Sequence, residues 1–588
     1  MKVSRTQNIS RRLTWLNNKS HVQTFYIRQS FDTSSTCYWL ELDGVKHNGL
    51  QNQLDVAARV AKWAGLTFNV KKCASLHTNR RCCRPTTFRL QGEPLVALGK
   101  DDHYRHLGLP TGFKYGAAGE NILDNMKTDV ESINVSLLAP WQKIDAVRTF
   151  VTPQLTFQLK GGMVNRDKLE ELDTVIKKCV KSWLYLPSRA SNEILYIPHR
   201  LGGLNLMPVK ELASICDVVE AVHLLYSKDP QVAAVAQSTL QDDVRQKTKQ
   251  PPTPEIVKDY LDGSTEGIFK GNSVTYSSVW TRLRISTRHL RRLFSMEWSC
   301  DSAGINLLID EQRVRPADVE KQLKNAFHKY LAKKLAAKPD QGKVFNVASL
   351  SAASNHFLKN GNFTRFAEWR FIHKARLNVV PLRGSLKFNI GSKSCRKCEY
   401  SNETLAHVLN HCGTHMAAAT KRHNAVAGRL EKVLPRNDHT SIYINQAVPG
   451  SNSDLRPDIT VIDEKNRTAT IIDIAIPFES SKVAMEEARR RKKEKYAGIE
   501  QSLKERGFKT FCDAFVIGSL GSYDPANNAC IRRLRIPHRY ATLMRRLMIC
   551  DVIRWSRNIY VEHLSGIRQY TDGQPPTIAP PRRPNHNC

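Results

Sequence analysis

The sequence predicts a multidomain chain of the α+β class, and three observations carry that prediction. At 588 residues it is long enough for about three or four domains. Its 41% apolar content supports packed cores. Helical periodicity dominates residues 113–385, whereas two apolar strand-like segments joined by a polar turn follow a cysteine cluster nearer the C-terminus.

Taken in order, residues 1–48 carry little periodic signal and read as irregular. "GLQNQLDVAARVAKWAGLTF" reads as a helix: Leu50, Leu54, Ala57, Ala61 and Ala64 form one apolar stripe, and Gly65 is its stop. "LTFNV" reads as a short strand and "HYRHLGLPTG" as a strand and turn. Helices are expected in "ILDNMKTDVESINVSLL", "DKLEELDTVIKKCVKSWLYL" and "PADVEKQLKNAFHKYLAKKLAAK". A further helix, "TRFAEWRFIHKARLNVV", carries Arg370, Lys374 and Arg376, which suit either phosphate contact or a solvated face. The tail "DGQPPTIAPPRRPNHNC" is Pro-rich and reads as disordered.

The formal charge of +34 is spread along the whole chain. Such a field favours a polyanionic partner, nucleic acid foremost, with an acidic membrane surface as the alternative. No run of about 18 apolar residues occurs, so a membrane-spanning helix is not expected. The N-terminus "MKVSRTQNISRRLTWL" lacks the apolar core of a secretion signal.

Most of the 14 cysteines are scattered singly and read as small buried hydrophobes. One set has spacing: "CRKCEYSNETLAHVLNHC" gives Cys395-x2-Cys398-x8-His407-x4-Cys412. Two cysteines three apart grip one ion from a tight turn, and His407 and Cys412 follow on a short helix. Three thiolates and an imidazole make a closed tetrahedral zinc site, structural rather than catalytic. His411 and His415 are spare candidates for the histidine position.

In "RPDITVIDEKNRTATIIDIAIPFES", Asp458 opens an alternating strand and shares a face with Thr460 and Ile462. Asp473 sits in the middle of a second strand, on the face of Ile471 and Ala475. A carboxylate among isoleucines costs several kcal/mol (roughly 3–5) unless something pairs with it. Two antiparallel strands would bring both acids together, and all-oxygen ligation suits Mg2+ or Mn2+. Restriction-type nucleases usually place a lysine two residues after the second acid, where this chain has Ala475. The helix "KVAMEEARRRKKEKYAGI" supplies one instead. With Met485, Ala488, Tyr496 and Ile499 as its apolar stripe, Lys492 falls on the inward face and Lys495 at its edge. Glu486 with Arg490 and Glu487 with Arg491 are spaced to pair outside. A purely structural Asp473–Lys492 ion pair reads equally well from these residues.

The order of these parts resembles the reverse transcriptases of non-LTR retrotransposons, the R-two group in particular. "AGLTFNVKKC" and "YRHLGLPTG" resemble the end of the palm; "AVRTFVTPQLTF" and "HRLGGLNL" look like thumb and linker. "CRKC…HVLNHC" followed by Arg422, His423 and Asn424 is similar to that group's cysteine-histidine motif. "RPDITV…IIDIAI…KKEKY" and "VIGSLGSYDPAN" look like its restriction-like endonuclease. The resemblance implies a palm remnant in 1–112, a helical thumb and linker in 113–385 and a CCHC zinc knuckle in 386–425. It places a restriction-like α/β endonuclease in 426–560 and leaves the Pro-rich tail in 561–588. It assigns Asp458 and Asp473 as catalytic acids and Lys492, Lys495 and Tyr496 as the lysine-tyrosine motif. Glu431 is an alternative third acid, weighed against a solvated helix glutamate.

The same resemblance predicts three polymerase aspartates, two of them adjacent, before the helix that starts near Leu50. There the chain reads "STCYWLELDGVKHNG", with Glu41 and Asp43 but no adjacent pair, and Asp101-Asp102 falls on the wrong side of the following strand and reads as a loop. The expectation is a truncated element that nicks target DNA, binds DNA and element RNA in the nucleus, and does not polymerise. A binding remnant without catalysis is the alternative, and an active RNA-directed DNA polymerase the third reading.

Overall fold

The computed structural model describes residues 23–30, 37–44, 47–79, 82–106, 109–112, 120–161, 164–270, 278–301, 304–385, 391–434, 436–451 and 453–571. The basic N-terminal stretch and the Pro-rich tail lie outside these. The chain divides into two compact units. The first is Met1–Ser136, Ala146–Ile176 and Met207–Tyr330; the second is Leu137–Asp145, Lys177–Leu206 and Leu331–Cys588. Among the described residues no helix is long and apolar enough to cross a membrane.

The first unit begins with strands β1 (Gln23–Ser30) and β2 (Cys37–Gly44), antiparallel from Gln23↔Gly44 to Ser30↔Cys37. Helix α1 (His47–Trp63) follows, and β3 (Cys73–Asn79) returns beside β1. Part of the region expected to be irregular is therefore a hairpin. Glu41 and Asp43 lie on β2. The stripe Leu50, Leu54, Ala57 and Ala61 is buried against Val70, Cys73, Phe88 and Leu90, but Ala64 is exposed. Gly65 ends the helix region at φ +71, where a side chain would be strained. "LTFNV" is not a strand: β3 starts at Cys73, because the buried edge there is Cys73, Ala74 and Leu76. His103–His106 and Leu109–Gly112 pair as the expected strand and turn, and Asp101-Asp102 is in a loop with Asp102 Oδ2 accepting from Gly99 N at 2.8 Å.

The rest of this unit is mainly helical. Of the three predicted helices, Glu120–Val135 lies in this unit, while Arg166–Trp183 and Val319–Ala336 begin in it and end in the second. Helices α2 (Val209–Leu225) and α3 (Val279–Arg291) pack in one core with an unpredicted hairpin, β4 (Met296–Asp301) and β5 (Gly304–Ile309). Asp262 ties the hairpin down, accepting from Trp298 N at 2.9 Å and pairing with Lys258 at 3.1 Å.

The second unit carries helix α4 (Phe366–Arg376), α5 (Leu405–Asn410) and α6 (Met416–Glu431), then strands β6 (Thr440–Ile444), β7 (Ile459–Asp463) and β8 (Thr468–Ala475). Helices α7 (Lys482–Lys495) and α8 (Ala497–Glu505) lead to β9 (Lys509–Val516), and the long α9 (His538–Ser565) closes the described chain. The sheet order is β6-β7-β8-β9, antiparallel except for the last pair, which is parallel across the helical crossover. β8 is central and buried along nearly its whole length, so its apolar run has no alternation. Tyr496, Ile499 and Leu503 cover Ile462, Ala469, Ile471 and Cys512, while Met485 covers Ala475, Ala514 and Val516. Helix α6 runs unbroken across residues 425 and 426, and α9 extends five residues past 560.

Candidate active site and metal centre

Both candidate sites lie in the second unit, and each is built by a different kind of element. Asp473 is the sixth residue of the central strand β8. In the antiparallel register Ile459 faces Ile472, so Asp458, one residue before β7, stands beside Asp473. The backbone N–H of Asp458 donates to Asp473 Oδ1 at 3.4 Å. Both carboxylates lie on the face covered by α7 and α8.

Each acid is held by specific partners. Asp458 Oδ2 accepts from Ile474 N–H at 2.6 Å and meets His423 Nε2, from α6, at 3.0 Å. Asp473 Oδ1 accepts from the Tyr496 hydroxyl at 2.8 Å, and that hydroxyl also lies 3.2 Å from Arg456 O. Asp473 Oδ2 is buried with no aligned hydrogen bond, yet the Lys492 ammonium stands 2.5 Å away. Burial works against the Asp458 carboxylate, but His423, the Ile474 N–H and Lys492 outweigh it and hold its pKa below the usual value. Burial likewise opposes charge on His423, and Asp458 outweighs it, raising the imidazole above its ordinary pKa. Burial and then Asp473 push the Tyr496 phenol well above its usual range, so it remains a donor.

The structure thus brings Asp458, Asp473, Lys492 and Tyr496 together. It does not bring in Lys495, which is exposed with its ammonium 4.9 Å from the Tyr496 ring. Nor does it bring in Glu431: α6 presents His423 to Asp458, and Glu431 is eight residues on, about 12 Å farther along the helix axis. On the outer face of α7 the expected Glu487–Arg491 pair forms at 3.0 Å; Glu487 also takes Arg490, and Glu486 pairs with Lys482 in place of Arg490.

Two adjacent carboxylates, one of them with a buried oxygen that faces a single ammonium, form a donor set that suits magnesium or manganese. Among the described residues no third acid, His or Cys completes them into a compact three-ligand cluster. Water and phosphate oxygens would make up the remaining positions.

The second site is compact in sequence. The ligand atoms of Cys395, Cys398, His407 and Cys412 all lie within 4.8 Å of one another. The Cys395 and Cys412 sulfurs are 4.0 Å apart, and Cys398 Sγ is 3.2 Å from His407 Nε2. A tetrahedral ion with sulfur bonds near 2.3 Å spaces its sulfurs by about 3.8 Å. Burial, with the neighbouring thiols, pushes Cys412 up to about 12, so these ligands ionise together only against a cation. The four side chains could hold a metal ion, and the set is compatible with zinc. Of the spare histidines, His411 is exposed, whereas His415, whose Nε2 meets His563 Nδ1 at 3.0 Å, forms a second buried group with Cys412 and His563 whose ligand atoms lie within 4.8 Å.

Sequence reasoning missed the shell around both sites. His563 of α9 approaches Cys395 to 4.0 Å and pairs with the buried Glu403 at 2.9 Å, which also takes a forked contact from Arg396. The segment "VIGSLGSYDPAN" folds over a buried Glu479, whose carboxylate accepts from Leu520 N–H at 2.8 Å and Ser522 N–H at 3.2 Å. A Cβ on Gly518 would lie 2.5 Å from Glu479 Cδ, so that position has no room for a side chain. A lone glutamate after "IPF" gave no signal of this burial; the glycines of the segment were the available hint.

Similarity to known proteins is distant but extensive. No protein-family model matches the chain. An uncharacterized protein of Caenorhabditis elegans is 25% identical over 337 residues, covering 53% of this chain and 94% of that protein. A retrovirus-related Pol polyprotein from type-1 retrotransposable element R2 of Popillia japonica is 21% identical over 443 residues, covering 74% of this chain and 77% of the relative. The corresponding polyprotein of a Drosophila melanogaster type-2 R2 element is 25% identical over 174 residues, 28% of this chain but only 16% of the polyprotein.

Proposed function

We propose, from the premise that this chain is an R2-type non-LTR retrotransposon protein, that its second unit is a metal-dependent DNA endonuclease that nicks target DNA. The observation that carries the reading is the side-by-side placement of Asp458 and Asp473, with a lysine from the crossover helix 2.5 Å from the buried Asp473 Oδ2. The two acids would hold Mg2+ or Mn2+, which supplies a Lewis acid for the phosphate and a lowered pKa for attacking water. The protein's own contribution is positional. Tyr496 fixes one oxygen of Asp473, while His423 and the Ile474 N–H fix Asp458. Lys492 swings from the carboxylate toward a bound phosphodiester and offsets negative charge as it develops.

In this reading Cys395, Cys398, His407 and Cys412 hold a structural zinc ion. The +34 charge serves DNA and element RNA, residence is nuclear, and the nick primes reverse transcription at the target. Glu41 and Asp43 on β2 do not supply an adjacent aspartate pair, so the chain by itself does not polymerise.

A second reading, a nucleic-acid-binding protein without catalysis, draws on the same ion pair: Lys492 and Asp473 neutralise each other without any metal. Plasmid nicking with Mg2+ or Mn2+ decides between them. The nuclease reading expects nicking by the intact chain and none by Asp473→Ala or Lys492→Ala, with DNA binding retained. An intact chain that binds and never nicks overturns it.

A further inference from the structure

A cluster in the second unit, separate from both candidate sites, combines positive charge with an exposed ring. The helix Arg166–Trp183 ends in a reversal: Tyr185 N–H donates to Ser182 O and Leu186 N–H to Lys181 O, both at 2.9 Å. This is the Schellman pattern, whose left-handed residue is usually glycine. Here it is Tyr185, at φ +52 and 58% exposed. A bulky residue in that conformation is strained, and such strain is worth asking about.

Arg370 and Lys374, one turn apart on α4, both approach the ring. The Arg370 guanidinium is 4.1 Å and the Lys374 ammonium 5.5 Å from its centroid. Arg370 Nε donates to Trp183 O at 3.2 Å, which fixes the side chain and leaves its terminal nitrogens for another acceptor. Among the described residues neither cation has a carboxylate within 4.0 Å. Burial and then Arg370 hold the Lys374 ammonium below its usual pKa, as expected of like charges without a counter-ion. Phe366, 50% exposed, extends the same helix stripe and meets Trp141 edge-on at 5.1 Å. Trp141 in turn seats on Gly361, where a Cβ would lie 2.4 Å from the indole.

We infer that this surface, Tyr185 with Arg370, Lys374 and Phe366, binds single-stranded nucleic acid, the two cations on the phosphodiester and the exposed ring of Tyr185 against a base. Two cations alone would take any anion. The ring, exposed and held in a glycine conformation, adds a requirement for a flat partner, and phosphate beside an unpaired base meets both. A duplex hides its base faces and satisfies only the charges. The site does not depend on the nuclease reading, since it uses none of that site's residues.

The test is fluorescence anisotropy of the full chain with labelled oligonucleotides of roughly 20 units, oligo-dT, oligo-U and a duplex of equal length. Tyr185→Gly is the informative variant, because glycine suits φ +52 and folding is preserved; Tyr185→Phe keeps the ring. Tyr185→Gly should weaken single-strand binding about tenfold and leave duplex binding unchanged, while Tyr185→Phe stays near wild type. The double variant Arg370→Ala with Lys374→Ala should lower the single-strand salt slope by about 1.4. Loss confined to the oligo-U arm identifies RNA, and loss confined to the oligo-dT arm identifies DNA. Unchanged single-strand binding by Tyr185→Gly, or an equal loss on duplex, overturns the proposal. The binding assay reads Tyr185, Arg370 and Lys374 and the nicking assay reads the aspartate pair, so a failed nicking assay leaves this result intact.

Discussion

The cysteine-histidine centre and the aspartate pair sit in one unit, yet they are assembled in opposite ways. The four candidate ligands of the first fall within 18 residues, on a turn, the short helix that follows it and the segment just past that helix. The second draws Asp458 and Asp473 from two strands, Lys492 and Tyr496 from the crossover, and His423 from α6, before the sheet begins. A local site can form wherever its short segment can turn and an ion is present. An assembled site exists only once the sheet and both flanking helices are in place. The two are also joined. Asn410, between His407 and Cys412, donates to Ile476 O at 3.0 Å, just past the end of β8, and accepts from Arg422 at 3.0 Å. Dependence should therefore run mainly one way, from the cysteine centre to the acids.

The largest expected effect tests that direction. Cys395→Ser with Cys412→Ser should reduce bound zinc from one equivalent to none by elemental analysis. It should also broaden or abolish the cooperative thermal transition of the second unit, since structural zinc is worth on the order of 10 kcal/mol in isolated modules. Nicking should vanish with it, although no acid has been touched. Retained nicking in a zinc-free chain would show the two centres to be independent.

Next comes the reverse experiment. Asp473→Asn should lower nicking by roughly 10³-fold and leave zinc content unchanged. It also removes the charge facing Lys492 while keeping an acceptor for Tyr496, so the stability cost should be only about 1–2 kcal/mol. Loss of zinc in this variant would mean that the coupling runs both ways.

The same contrast explains what could be read in advance. The cysteine set was legible because ligand spacing is a local property. Asp473 was legible because one charge in an unbroken apolar strand is an anomaly that needs a partner. Lys492 followed from the turn angle of a helix. His423 was not, since its contact with Asp458 spans 35 residues and two elements whose relative placement no periodicity encodes. Glu403 and His563, 160 residues apart, are a stronger case. Among the elements, the hairpin Met296–Ile309 was missed because its strands are six residues each and its burial alternates only in part. For a related reason no periodicity shows that α6 serves both sites, with Arg422 bonded to Leu409 O at 3.0 Å and His423 on Asp458.

A smaller effect should sharpen the link itself. Asn410→Ala removes the donor to Ile476 O and the acceptor for the buried Arg422, leaving the metal ligands untouched. The cost should be about 1–3 kcal/mol, that of leaving buried polar groups unpaired. Zinc content should be unchanged and nicking reduced several-fold. Wild-type nicking in this variant would place the coupling elsewhere, in the packing of α6 along α9.

The smallest effect, on the order of 1 kcal/mol, concerns His423→Gln measured without added Mg2+ or Mn2+, and its pH dependence carries the information. The folded-state pKa of His423 is raised, chiefly by Asp458 against the opposing effect of burial. Its contribution is thus complete below the unfolded value near 6.5 and is lost as pH rises through the folded one. Asp458 is depressed in the folded state, so its share is present above about 3.8 and is lost as pH falls through the lowered value. The stability difference between wild type and His423→Gln should therefore be greatest between about pH 4 and 6 and shrink as pH climbs past 7. Chemical denaturation at several pH values measures it. A difference that is flat with pH would mean that His423 packs against Asp458 as a neutral ring. One that grows toward alkaline pH would reverse the sign and show that the imidazolium is not the form the folded site prefers.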